Sequence, residues 1–149
     1  MEAQALRQGS AEWTFAQKGD LALIVWMLAV GTIGLAINPS FATGDSATSE
    51  TFLWVDWNGW HAVATYALAL PGLYLMLRPS WAVLYALYAG AVLILTGIWA
   101  FLDDNPATLL PFQHQAGDGI LHTTLGTLFL IVAAVQISRD RRETAVRTA

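Results

Sequence analysis

The chain has 149 residues, 56% of them hydrophobic and 12% charged, against roughly 25% charged in soluble proteins. Its mean hydropathy is +0.50, which is membrane composition at single-domain length. There is no cysteine, so disulfides, thiolate metal sites and cysteine nucleophiles are excluded, and the net charge of −4 matters less than where the charges fall.

The leading segment AEWTFAQKGDLALIVW carries Trp13 and Phe15 and is a candidate for the membrane surface. Glu2, Glu12 and Asp20 spoil it as the short positive region of a signal peptide, so the helix after it reads as retained. The first span is Leu21–Ile37, uncharged and stopped at Asn38-Pro39. Trp60–Leu77 is the second, with Pro71-Gly72 inside it to bend the helix. The turn Arg78-Pro79-Ser80 is so short that spans two and three form an antiparallel hairpin. Trp81–Leu102 is the third span and Ile120–Ile137 the fourth, followed by a tail over 138–149. Each approaches the roughly 20 residues that cross about 30 Å of hydrocarbon. Open strands in lipid leave backbone groups unpaired, so helices are the reading. Ala82, Ala86 and Gly90, spaced by four, and Gly31 and Gly34 mark faces where backbones approach closely. The expected fold is all-α, a single integral membrane four-helix bundle over residues 1–149.

All seven basic residues fall on one side of these spans: Arg7, Lys18, Arg78, Arg139, Arg141, Arg142 and Arg147. The connections 38–59 and 103–119 hold no lysine or arginine but carry Asp45, Glu50, Asp56, Asp103, Asp104 and Asp118. The positive-inside rule then places both termini in the cytoplasm, with the spans in the inner (plasma) membrane. Trp54, Trp57 and Trp60, with Trp99 and Phe101, fit an outer aromatic belt, and Trp81 an inner one.

The second and fourth spans begin alike. WNGWHAVATYALALPGLYLML has Asn58 three residues before His61, and DGILHTTLGTLFLIVAAVQI has Asp118 four before His122. Two parallel-repeat helical hairpins, related by an axis along the membrane normal, would give this pattern. At these two motifs the chain resembles a family of small four-helix bacterial membrane proteins, catalogued as domain of unknown function 4383. Asn58-Gly-Trp-His61 matches its Asn-x-x-His, and Leu109-Leu110-Pro111 followed by Asp118-Gly-Ile-Leu121-His122-Thr-Thr-Leu125-Gly126 matches its run into the last helix. The resemblance covers roughly residues 20–138; it implies the architecture and no activity.

Asp118 and Asn58 both read as helix N-caps. His122 lies about 6 Å deeper than Asp118 and on the same face, within reach of a hydrogen bond to it. His61 lies at comparable depth. Three readings of the histidines stay open. They form a structural pair bonded to acids and amides. They ligate a tetrapyrrole, both to haem or singly to chlorophyll, with Gly126 leaving the gap a flat macrocycle needs. Or His61, His114, His122 and Asp118, with Asp56, Asp103 or Asp104 near, hold zinc. No nucleophile turn marks an enzyme. No charge lies at the middle of a span to mark an ion path. The C-terminal arginines read as a topology anchor and lipid contact rather than a nucleic-acid site. The leading expectation is a non-enzymatic scaffold or accessory subunit that contacts the lipid bilayer and either other membrane subunits or its own copies. The alternative is a cofactor or metal binder using His61 and His122.

Overall fold

The structure, a computed structural model, describes residues 12–109 and 115–148. Among them are four α-helices: α1 (Phe15–Ile37), α2 (Gly59–Leu75), α3 (Pro79–Leu102) and α4 (Gln115–Arg147). A two-stranded antiparallel sheet, β1 (Glu50–Phe52) and β2 (Val55–Trp57), stands between α1 and α2. Three of the helices, α1, α3 and α4, are long and apolar enough to cross a membrane; α2 is shorter, at 17 residues.

Helix α1 starts six residues earlier than its apolar run. Thr14 accepts from the Gln17 N–H while the Gln17 side chain accepts from the Thr14 N–H, a capping box that satisfies two donors at once. Phe15 to Asp20 therefore continue the spanning helix instead of lying apart on a surface, and Ala16, Gln17 and Asp20 are buried. At the other end of the chain the tail does not leave the helix either: α4 runs unbroken to Arg147. Arg139 lies over the Phe15 ring at 4.6 Å, joining the end of α4 to the start of α1.

Glycine decides which helices pair most closely. A Cβ on Gly126 would lie 2.7 Å from the Gly90 carbonyl oxygen, and one on Gly97 would lie 2.9 Å from that of Gly119. The backbones of α3 and α4 touch, and the reversed order of these contacts makes the pair antiparallel. Ala82, Ala86 and Ala89 are fully buried on the same helix, so the small-residue face does what its spacing implies. Helices α1 and α2 pair similarly, with Gly31 against Thr65 and Thr32 Oγ1 2.9 Å from the Tyr66 hydroxyl. By contrast α2 and α3, though joined by a short turn, touch only slightly. Tyr85 and Phe129 meet edge to face at the centre of the core.

The two ends of this arrangement differ. At one, the start of α1, the end of α2 and the later part of α4 meet. The Ala16 N–H donates to Gln136 Oε1 at 3.2 Å, and Gln17 Nε2 donates to the Met76 carbonyl at 3.0 Å. Lys18, Arg78 and the arginines of α4 belong to this end by their positions on the elements. At the other end sit the β-hairpin and the starts of α2 and α4, with the acids Asp45, Glu50, Asp56, Asp103 and Asp104.

Candidate functional site

The hairpin turns through Leu53 and Trp54, both with left-handed backbone (φ 53° and 61°). A two-residue loop of this kind normally carries Asn-Gly, because both positions need φ > 0. Leu-Trp is a strained substitute, and the strands are held by tertiary contacts instead. Trp57 lies in a hollow that Gly34 leaves on α1, where an added Cβ would meet its indole ring. Gly117 at the start of α4 leaves room for the Trp54 carbonyl. Val55, Asp56 and Trp57 are all buried. Trp57, assigned by its spacing to an outer aromatic belt, is thus a core residue; Trp54 remains exposed.

Asp56 organises the ionisable residues below the hairpin through its main chain. Its N–H donates to Asp118 Oδ2 at 3.0 Å. Its carbonyl accepts from His61 Nδ1 at 2.7 Å, so the neutral His61 ring carries its lone pair on Nε2. Asn58 caps α2, its Oδ1 accepting from the His61 N–H at 3.0 Å, while its amide donates to the Leu109 carbonyl at 2.8 Å. Asp118 does not cap α4. The helix begins at Gln115, and the carboxylate of Asp118, in the first turn, reaches across to the hairpin. The two helix starts that look alike in sequence are therefore built differently.

His61 is layered between two rings. Trp57 stacks on it at 4.3 Å and 15°, and His122 stands 5.5 Å away, tilted by 39°. The structure brings the two histidines together as direct neighbours. The Asp118 carboxylate makes no hydrogen bond to the His122 ring: Asp118 Oδ1 and His122 Nδ1 are buried with no hydrogen-bond partner among the described residues. The imidazole beside Asp118 Oδ1 is instead His61, at 3.9 Å.

A cavity of about 260 Å³ opens beside the pair. All four helices and β2 line it, Ala64, Thr65 and Leu68 of α2 facing Val92, Leu93, Thr96 and Trp99 of α3 where those helices barely touch. The Thr65 and Thr96 hydroxyls donate to carbonyls of their own helices, His61 and Val92, each at 2.9 Å.

Gly126, expected to leave a gap for a macrocycle, leaves none: the Gly90 backbone and Ile94 fill its missing side chain. Two axial imidazoles bonded to one iron at about 2 Å each would stand roughly 6 Å apart by centroid, with the macrocycle between them. The present rings would have to separate to admit one. Among the described residues no group of three or more histidine and acidic side chains is arranged to hold a metal ion. His114, a proposed zinc ligand, lies outside the described residues, as do Leu110 and Pro111 of the second motif.

Sequence reasoning found His61, His122, Asn58 and Asp118 and named Asp56 only as a carboxylate near a zinc site; it missed the main-chain role of Asp56 and missed Trp57 as a member of the site. A signal was present. Thr51-Phe52-Leu53-Trp54-Val55-Asp56-Trp57 is rich in β-branched and aromatic residues, the composition of short strands. It also missed Asp20, fully buried inside α1 with neither carboxyl oxygen hydrogen-bonded among the described residues.

No curated protein and no solved structure matches the chain. A family model described as "Domain of unknown function (DUF4383)" matches residues 17–135, most of the chain and the whole of the histidine site. With four helices, three of them of membrane-crossing length and apolarity, and that match, the chain belongs to the DUF4383 family.

Proposed function

We propose that this protein is a multi-pass protein of the bacterial inner (plasma) membrane, with α1 to α4 as four spans and both termini cytoplasmic. In this reading it catalyses nothing and serves as a scaffold or accessory subunit, docking through α3 to a helix of another membrane subunit or of a second copy. The concentration of basic residues at the end holding the start of α1 and the end of α4 supports the orientation. The histidines at the starts of α2 and α4, adjacent in space, support a parallel repeat of two hairpins.

One residue carries the docking reading. Tyr88 is 61% exposed on α3, roughly 14 Å from the helix start at 1.5 Å per residue, which is the middle of a hydrocarbon layer about 30 Å thick. Its hydroxyl makes no hydrogen bond among the described residues. Tyr66 and Tyr85 behave differently: Tyr66 meets Thr32 Oγ1 at 2.9 Å and Tyr85 donates to the Leu68 carbonyl at 3.2 Å. An unpaired hydroxyl in lipid is costly, and a neighbouring helix offering an acceptor removes the cost. Tyr88 also lies on an unpartnered apolar stripe with Leu84, Leu95, Ile98 and Leu102.

Native electrophoresis and co-purification from mild detergent test this. The wild-type protein is expected to run as a complex and Tyr88→Phe to release a larger fraction of free chain. A wild-type chain that runs alone as a monomer, with no companion, would count decisively against the reading.

A further inference from the structure

The cavity beside the histidine pair has a specific chemistry. Trp26, Trp57 and Trp99 contribute indole rings to its wall. The N–H groups of Trp57 and Trp99 are committed elsewhere, to the Phe52 carbonyl at 3.4 Å and to Asp103 Oδ2 at 3.0 Å, so these two present ring carbon. The threonine hydroxyl protons are used within their own helices, and His61 Nδ1 is used on Asp56. His122 Nδ1 remains, buried and without a partner among the described residues.

Among the described residues no cationic side chain lines the cavity, and the carboxyl group of Asp118 lies behind the histidines. An anionic headgroup would meet no countercharge there. The occupant that suits these walls is neutral, flat against indole, and carries an oxygen for one buried imidazole. Volume narrows it further. An apolar cavity of about 150 Å³ takes benzene. The present 260 Å³ takes a substituted six-membered ring, whereas four pyrroles and their bridges need several times the benzene volume.

We propose that this cavity is a binding site for a neutral, membrane-soluble ring compound of the quinone or quinol class, with its ring between the tryptophans and an oxygen on His122. The slight contact between α2 and α3 leaves its tail a way out to lipid. The proposal is independent of whether α3 docks to a partner.

Tetramethyl-1,4-benzoquinone is the probe, and quenching of tryptophan fluorescence in detergent is the readout. The wild type is expected to quench saturably. His122→Ala, which removes one hydrogen bond to the ligand, is expected to weaken binding about tenfold. Ala64→Phe fills the cavity from an exposed position on its wall and is expected to abolish the saturable phase while leaving elution and helical content unchanged. Ala64→Phe carries the test even where His122→Ala fails to fold. Quenching that never saturates, or that is equal in wild type and Ala64→Phe, would overturn the proposal. So would a Soret band in the protein purified from native membranes and lost in His122→Ala, which would assign the site to a tetrapyrrole.

Discussion

Two buried carboxyl groups near opposite ends of this molecule, Asp118 and Asp20, are treated differently. At the hairpin end the carboxylate of Asp118 accepts a main-chain N–H from Asp56, and Asn58 uses both its oxygen and its amide. At the end where α1 begins, Gln17 and Gln136 find main-chain partners at helix termini, but Asp20, one turn further into α1, finds none. The difference lies in what the backbone has to offer. A short strand beside a helix start has N–H groups to give; the interior of a helix has used all of its own. The hairpin thus does for Asp118 what nothing does for Asp20.

The largest break in this contrast comes from removing the hairpin's anchor. Trp57→Ala empties the hollow at Gly34 and unstacks His61, and is expected to cost about 3–5 kcal/mol. The measurement is a thermal midpoint in detergent, with loss of the saturable quinone titration as its companion. A midpoint within a degree of wild type would show that the strained Leu53-Trp54 turn holds itself.

Asp118→Ala comes next. It removes the Asp118 acceptor of the Asp56 N–H and is expected to cost about 1–3 kcal/mol. Asp118→Asn, which keeps an acceptor oxygen for that N–H, is expected to lose less. Equal losses in the two variants would mean that the hydrogen bond to the hairpin is not what Asp118 contributes.

The smallest effect has the opposite sign. Asp20→Val removes a carboxyl group without hydrogen bonds from the core and is expected to raise stability by about 1–2 kcal/mol. A lower midpoint would erase the contrast, because Asp20 would then have to be satisfied where no described group meets it.

Much of the architecture was legible because lipid-spanning helices announce themselves by length, apolarity and flanking charge. The helix extensions were not. Phe15 to Asp20 looks like a separate amphipathic lead until the Thr14–Gln17 box joins it to α1. The hairpin was hidden because Leu53-Trp54 is not a turn dipeptide; its φ > 0 is imposed by the contacts of Trp57 and Gly117, which have no local signature. For the site, spacing identified His61 and His122 as partners at one height. It misassigned Asp118 as a cap and Gly126 as a gap, because both residues are explained by neighbours distant in sequence: Asp56 for one, Gly90 for the other.

By itself the sequence determined the class, the apolar helices, the one-sided distribution of basic residues and the small-residue face of α3. Each follows from solvent and from periodicity along one helix. The tertiary structure decided which helices touch, that Asp56 serves both His61 and Asp118 through its backbone, and that a cavity remains between α2 and α3. These depend on close approach between segments far apart in the chain, where a missing Cβ or one main-chain N–H settles the geometry.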